Sequence, residues 1–213
     1  KQIAKQGKRV LFVATKKQAK QVVADLAKEA GMPYVTERWA GGMLTNFPTI
    51  RKAIKKMGTI DKMEKDGTFD ALSKREKLQI KRQREKLEKN LGSIADLSRL
   101  PAAIFVVDVM KEHIAVAEAN RLGITVFGIV DTNSNPNGVD YVIPANDDAT
   151  KSIELIVAEM VNALKEGANE RKLERAEEES EQVEVKQPRT RTRKGTRKEA
   201  PKAEKAEKAS ENE

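Results

Sequence analysis

Apolar residues follow two rhythms along this chain. Val10-Leu11-Phe12-Val13-Ala14-Thr15, Ala102-Ala103-Ile104-Phe105-Val106-Val107-Asp108 and Ile124-Thr125-Val126-Phe127-Gly128-Ile129-Val130-Asp131 are near-continuous apolar runs. That is the pattern of strands covered on both faces. Tyr34-Val35-Thr36-Glu37-Arg38-Trp39 and the shorter Val139-Asp140-Tyr141-Val142-Ile143-Pro144 read as two more strands. Between the runs the spacing changes to that of helices: Ala19, Val22, Val23, Leu26 and Ala27, then Ile114, Ala115, Ala117, Glu118 and Ala119. Ile153, Ile156, Val157, Met160, Val161 and Leu164 mark a closing helix that Asn146-Asp147-Asp148 caps. Gly7, Gly31 and Gly123 stand where helices should stop, and Pro33 prevents the second from resuming. Strands alternating with helices predict a doubly wound α/β sandwich of five strands.

One stretch departs from that plan. Ile50, Ala53, Ile54, Met57, Ile60 and Met63 form a narrow apolar stripe on an otherwise charged helix, which Asp66-Gly67 breaks. Ser73-x-x-Glu76 has the form of a capping box opening a second helix, with Ile80, Leu87, Leu91 and Ile94 as its stripe. Such a seam suits two helices against each other and is too thin for a globular core. Residues 49–95 are therefore expected to form an antiparallel α-hairpin inserted after the second strand. Its outer face carries Lys74, Arg75, Lys77, Lys81, Arg82, Arg84, Lys86 and Lys89.

Charge changes the picture at the end of the chain. Of the 213 residues, 35% are charged and only 4% aromatic. From Ala168 onward, 13 Lys/Arg oppose 12 Asp/Glu in blocks without apolar periodicity, so residues 168–213 read as a disordered charged tail after a domain of residues 1–167. The net charge of +8 then belongs almost wholly to the domain, which favours a polyanionic partner. The absence of Cys leaves no disulfide, thiolate metal site or Cys nucleophile and fits a reducing compartment. A single His makes His-based catalysis or metal binding a poor expectation. No apolar run reaches the length of a membrane span. The chain opens on Lys1-Gln2-Ile3 and reads as a segment of a longer protein.

In a doubly wound sheet, ligands gather at the carboxyl ends of the strands. The first strand ends in Thr15-Lys16-Lys17-Gln18 with no glycine, so a dinucleotide site is not expected. Asp108, Asp131 and Asp147 or Asp148 could converge on Mg²⁺ and support phosphoryl transfer or hydrolysis. Against that enzymatic reading, the first strand ends in lysines, and each Asp precedes a helix or turn whose backbone N–H groups it can cap. The binding reading centres on Glu37-Arg38-Trp39-Ala40-Gly41-Gly42-Met43-Leu44-Thr45-Asn46-Phe47, which holds the only Trp. Lys16, Lys17, Arg38 and Trp39 offer cations and a stacking face, and Thr45 and Asn46 offer hydrogen bonds to ribose or base edges. Arg51, Lys52, Lys55 and Lys56 extend the basic surface onto the hairpin base, and Lys81, Arg82 and Arg84 extend it further out. The bland alternative has Trp39 filling the core. No cofactor, metal or small-molecule substrate is expected.

Three stretches carry a resemblance. These are Val10–Ala19, Glu37–Phe47, and Asp131-Thr132-Asn133 through Val139–Ala149. In order and spacing the chain resembles the bacterial small-subunit ribosomal protein S-two (uS-two) family over residues 1 to about 165. The resemblance implies a flavodoxin-like parallel sheet of order 2-1-3-4-5 with a protruding hairpin. It further implies a non-catalytic, cytoplasmic ribosomal subunit that contacts 16S rRNA between head and body. Neighbouring ribosomal proteins would be its partners, including the large mRNA-recruiting protein of OB-fold repeats. Departures are the family's N-terminal region before the first strand, Ala102 where Asp often follows Pro, and Val109-Met110 where Pro often follows Asp108.

Overall fold

The computed structural model describes residues 1–186, and side chains over that range except at 70, 71 and 177–186. The elements in chain order are α1 (Gln2–Lys5), β1 (Val10–Val13), α2 (Lys17–Glu29), β2 (Tyr34–Val35), α3 (Phe47–Lys65), α4 (Lys74–Leu91), β3 (Ala103–Val107), α5 (His113–Arg121), β4 (Thr125–Val130), β5 (Tyr141–Pro144) and α6 (Thr150–Lys186). Short 3₁₀ turns at Thr68–Ala71 and Gly92–Ile94 flank α4.

The strands form a five-stranded, all-parallel sheet of order β2-β1-β3-β4-β5, as the resemblance implied. Every residue of β1 and β3 is buried, which explains why these strands read as unbroken apolar runs. Their alternate side chains feed two cores. Leu11, Val13, Ile104 and Val106 face α5, the loop after β2 and the hairpin base at Leu91, Ile94 and Leu97. Val10, Phe12, Phe105 and Val107 face α2, α6 and Ala4 of α1. On that second face the register aligns Tyr34, Phe12, Phe105, Phe127 and Tyr141 in one row across all five strands. Ring centroids lie 5.4 Å apart for Phe12–Phe105 and 4.7 Å for the stacked Phe127–Tyr141 pair. Five of the chain's eight aromatic residues are thus committed to the sheet, leaving few for recognition.

The inserted hairpin forms where its stripe predicts. Gly67 takes φ +72° at the turn. The Ser73 side chain accepts from Glu76 N–H while the Glu76 carboxylate accepts from Ser73 N–H, completing the capping box. Ion pairing between Arg84 and Asp61, and the Arg51–Ser98 hydrogen bond, run in opposite chain directions and set the two arms antiparallel.

Two expectations about element ends change. β2 pairs only at Tyr34–Val35, because the chain leaves the sheet edge to reach α5. α6 runs on past Gly167, the last residue of the expected domain. That glycine sits inside the helix where α1 crosses it, and a Cβ there would lie 2.3 Å from the Lys1 carbonyl oxygen. Lys1 and Lys5 pair with Glu170 and Glu174 of the same helix, and the compact unit runs Lys1–Ala176. Of the tail expected at 168–213, residues 187–213 lie outside the described residues.

Candidate nucleic-acid interface

The acidic strand ends do converge, but on an ammonium group. Lys16, just after β1, places its Nζ 2.7 Å from Asp147 Oδ1, 2.6 Å from Asp148 Oδ1 and 3.4 Å from Asp108 Oδ2. The Lys16 side chain is only 15% exposed. Burial pulls its pKa down, but hydrogen bonds to Asp147 and Asp148 and the charges of Asp147 and Asp108 outweigh that and hold it above the ordinary lysine value. Asp108 adopts φ +67°, and its Oδ1 accepts from Lys111 N–H at 3.0 Å. Asp131 accepts from the backbone N–H of Thr132 at 2.7 Å and of Asp147 at 3.4 Å, and those bonds hold its carboxyl below the usual range. The Mg²⁺ reading of these residues is thereby corrected, since Lys16 supplies the cation that the carboxylates need. Among the described residues no His, Cys, Asp and Glu side chains are grouped to hold a metal. The Lys16 ammonium, a candidate phosphate contact, is thus engaged by carboxylates of its own chain. Lys17 beside it is exposed.

The stretch around Trp39 is organised by a residue that its own sequence does not reveal. Glu118 of α5 is 7% exposed, and its carboxylate accepts from Trp39 Nε1 at 3.2 Å. It also accepts from the backbone N–H groups of Gly42, Leu44 and Thr45 at 2.7, 2.9 and 3.0 Å, and from the Thr45 hydroxyl at 3.1 Å. Burial raises its pKa, but the backbone donors, Thr45 first, outweigh burial and hold the carboxyl below the usual range. Gly42 supports the turn with φ +84°. Trp39 is 7% exposed in the core, so the bland reading describes it and it presents no stacking face. Thr45 is exposed, though its hydroxyl already donates to Glu118. Asn46 accepts from the Thr49 hydroxyl at 2.8 Å. The only signal for Glu118 in the sequence is a carboxylate on the stripe that Ala115, Val116 and Ala119 bury.

What the loop leaves outside is Arg38, exposed beside the hairpin base. Lys52, Lys55 and Lys56 project from α3 to solvent, and Arg51 is exposed while its Nη1 donates to the Ser98 carbonyl at 3.2 Å. Farther along, Arg82 is exposed and Lys81 stands 5.8 Å from the Phe69 ring centroid. Arg84 is engaged within the hairpin by Asp61 and Glu88. The candidate cations thus divide. Lys16 and Arg84 neutralise carboxylates of their own chain, whereas Lys17, Arg38, Lys52, Lys55, Lys56 and Arg82 face solvent without such a partner among the described residues.

Comparison with known proteins agrees with this architecture. The family model described as Ribosomal protein S2 matches residues 1–167. "Small ribosomal subunit protein uS2" of Parabacteroides distasonis is 68% identical over 180 residues, 84% of this chain and 65% of that protein. The proteins of the same name from Bacteroides thetaiotaomicron and Porphyromonas gingivalis are each 63% identical, over 84% and 82% of this chain and 65% and 62% of their own lengths. The matched region spans just under two thirds of these relatives. With the five-stranded parallel sheet, the inserted hairpin and this match in hand, the chain belongs to the ribosomal protein S2 family.

Proposed function

We propose that the chain is a structural, non-catalytic constituent of the small ribosomal subunit that binds 16S rRNA. Its phosphate contacts are the solvent-facing cations Lys17, Arg38, Arg51, Lys52, Lys55, Lys56, Lys81 and Arg82. The observation that carries this reading is the division of the cations. The hairpin and the loop after β2 hold guanidinium and ammonium groups that no carboxylate among the described residues neutralises, which leaves them open to a phosphate backbone. Membership of the ribosomal protein S2 family supports a ribosomal setting; the place we propose within it is the junction of head and body, in the cytoplasm, with neighbouring ribosomal proteins as partners. One of those is the large OB-repeat protein that recruits mRNA. The relatives carry the name of a ribosomal constituent rather than of an enzyme, and Lys16 stands where the enzymatic alternative needed a metal. No helix among the described residues is long and apolar enough to cross a membrane.

The test is reconstitution. Small subunits lacking this protein are incubated with the purified chain and sedimented. The chain should travel with the subunit, and the OB-repeat protein should be retained only when it does. Failure of a folded chain to sediment with the subunit contradicts the reading. Sedimentation without retention of the OB-repeat protein removes the anchoring role alone.

A further inference from the structure

At the hairpin base, a cleft of about 330 Å³ opens between α3, α4 and the loop after β2. Its floor is apolar, made by Ile50, Leu87 and Leu91. Its rim is polar: Gln83 and Asn90 contribute amides, and Arg38 and Lys86 contribute cations. On α4, Gln83, Lys86, Leu87 and Asn90 follow the i, i+3, i+4, i+7 spacing that gathers side chains on one helix face. Among the described residues none of the four rim side chains has a hydrogen-bond or ion-pair partner, and no carboxylate lines the cleft. Arg84, between Gln83 and Lys86 in sequence, is engaged by Asp61 and Glu88.

We infer that this cleft seats one unpaired purine nucleotide of RNA, its base over Ile50 and Leu87, its edge read by Gln83 and Asn90, and its phosphates held by Arg38 and Lys86. The inference rests on the RNA-binding reading above and adds a base-reading site to it. Three features match that occupant together. A base has an apolar face, which suits the floor of Ile50 and Leu87. Asn and Gln amides pair in bidentate fashion with the adenine N6/N7 edge, and RNA is read by sequence through just such unstacked bases. The flanking phosphates need cations at the mouth. An aliphatic side chain of a protein partner would use the floor but leave both amides without a partner.

The test uses the full chain, hexaadenylate, hexauridylate and small-subunit rRNA, with Gln83→Ala, Asn90→Ala and the double variant. The wild type should prefer hexaadenylate over hexauridylate by roughly tenfold in Kd. The double variant should lose that preference while the salt dependence of its rRNA binding stays unchanged, because no phosphate contact is removed. Lys86→Ala should do the reverse, lowering the salt slope and keeping the preference. Absence of a preference in the wild type, or its persistence in the double variant, overturns the inference. If rRNA is still bound with a steep salt slope in that case, only the cleft assignment falls. If rRNA is not bound at all, the RNA-binding reading falls with it. A glutamate-rich peptide bearing one Phe provides a further arm. Its binding, lost in Asn90→Ala and not competed by hexaadenylate, would assign the cleft to a protein partner and overturn the inference.

Discussion

Glu118 gathers donors from Trp39, Gly42, Leu44 and Thr45 onto one buried carboxylate, and its removal has consequences that can be worked out. Glu118→Gln puts an NH₂ group against backbone N–H donors, so at least one buried donor loses its acceptor. We expect a loss of about 2–4 kcal/mol at pH 7, read by urea unfolding. Because the folded carboxyl lies below its ordinary value of 4.5, its contribution is complete above pH 4.5 and fades as pH falls through the folded value. The gap between wild type and variant should therefore narrow in acid, and a gap constant from pH 7 to pH 3 would contradict the account. Lys16 makes a paired case. Lys16→Met leaves the buried Asp147 and Asp108 without their cation and should cost about 3–5 kcal/mol, whereas exposed Lys17→Ala should stay within about 0.5 kcal/mol. Lys16 has a raised pKa, so its contribution is complete below pH 10.5 and vanishes only as pH rises past the folded value. The Lys16 effect should accordingly be flat across neutral pH. Trp39 was legible as the centre of its stretch, and Lys16 as the cation at the end of the first strand. Their partners were not, because Glu118 and Asp147 are 79 and 131 residues away and only the folded sheet brings them near.

Elements were more legible than contacts. β1, β3 and β4 could be located because burial on both faces demands unbroken apolar runs. The hairpin could be located because a stripe one side chain wide can serve only another helix. Ser73-x-x-Glu76 was readable as a cap since its chemistry lies within four residues. Ser73→Ala should cost about 1 kcal/mol, and hydrogen exchange should quicken in the first turn of α4 without changing in β3. The role of Gly167 is not legible, because a glycine ending a helix and one admitting a neighbour's backbone look identical in sequence. Gly167→Val should push α1 from α6, exposing residues 1–7 to protease and costing about 1–3 kcal/mol despite the better helix former. Unchanged proteolysis there would mean that the α1–α6 crossing is not tight. β2 was over-extended for a related reason. An edge strand has neighbours on one side only, so five acceptor contacts at Glu118 can draw the chain away after Val35.

For the whole molecule, a net charge of +8 pointed to a polyanion but could not say which cations would meet it. The fold decides that by gathering three carboxylates around Lys16 and closing Arg84 into the hairpin, while Arg38 and the α3 lysines stay in solvent. The central claim is that these outward cations hold RNA. The most direct measurement is the affinity of the full chain for small-subunit rRNA as a function of salt, compared with Arg51→Ala/Lys52→Ala/Lys55→Ala/Lys56→Ala at matched folding. The account predicts a steep log–log slope in the wild type, shallower by about 3 in the variant. Equal slopes in the two proteins would contradict it.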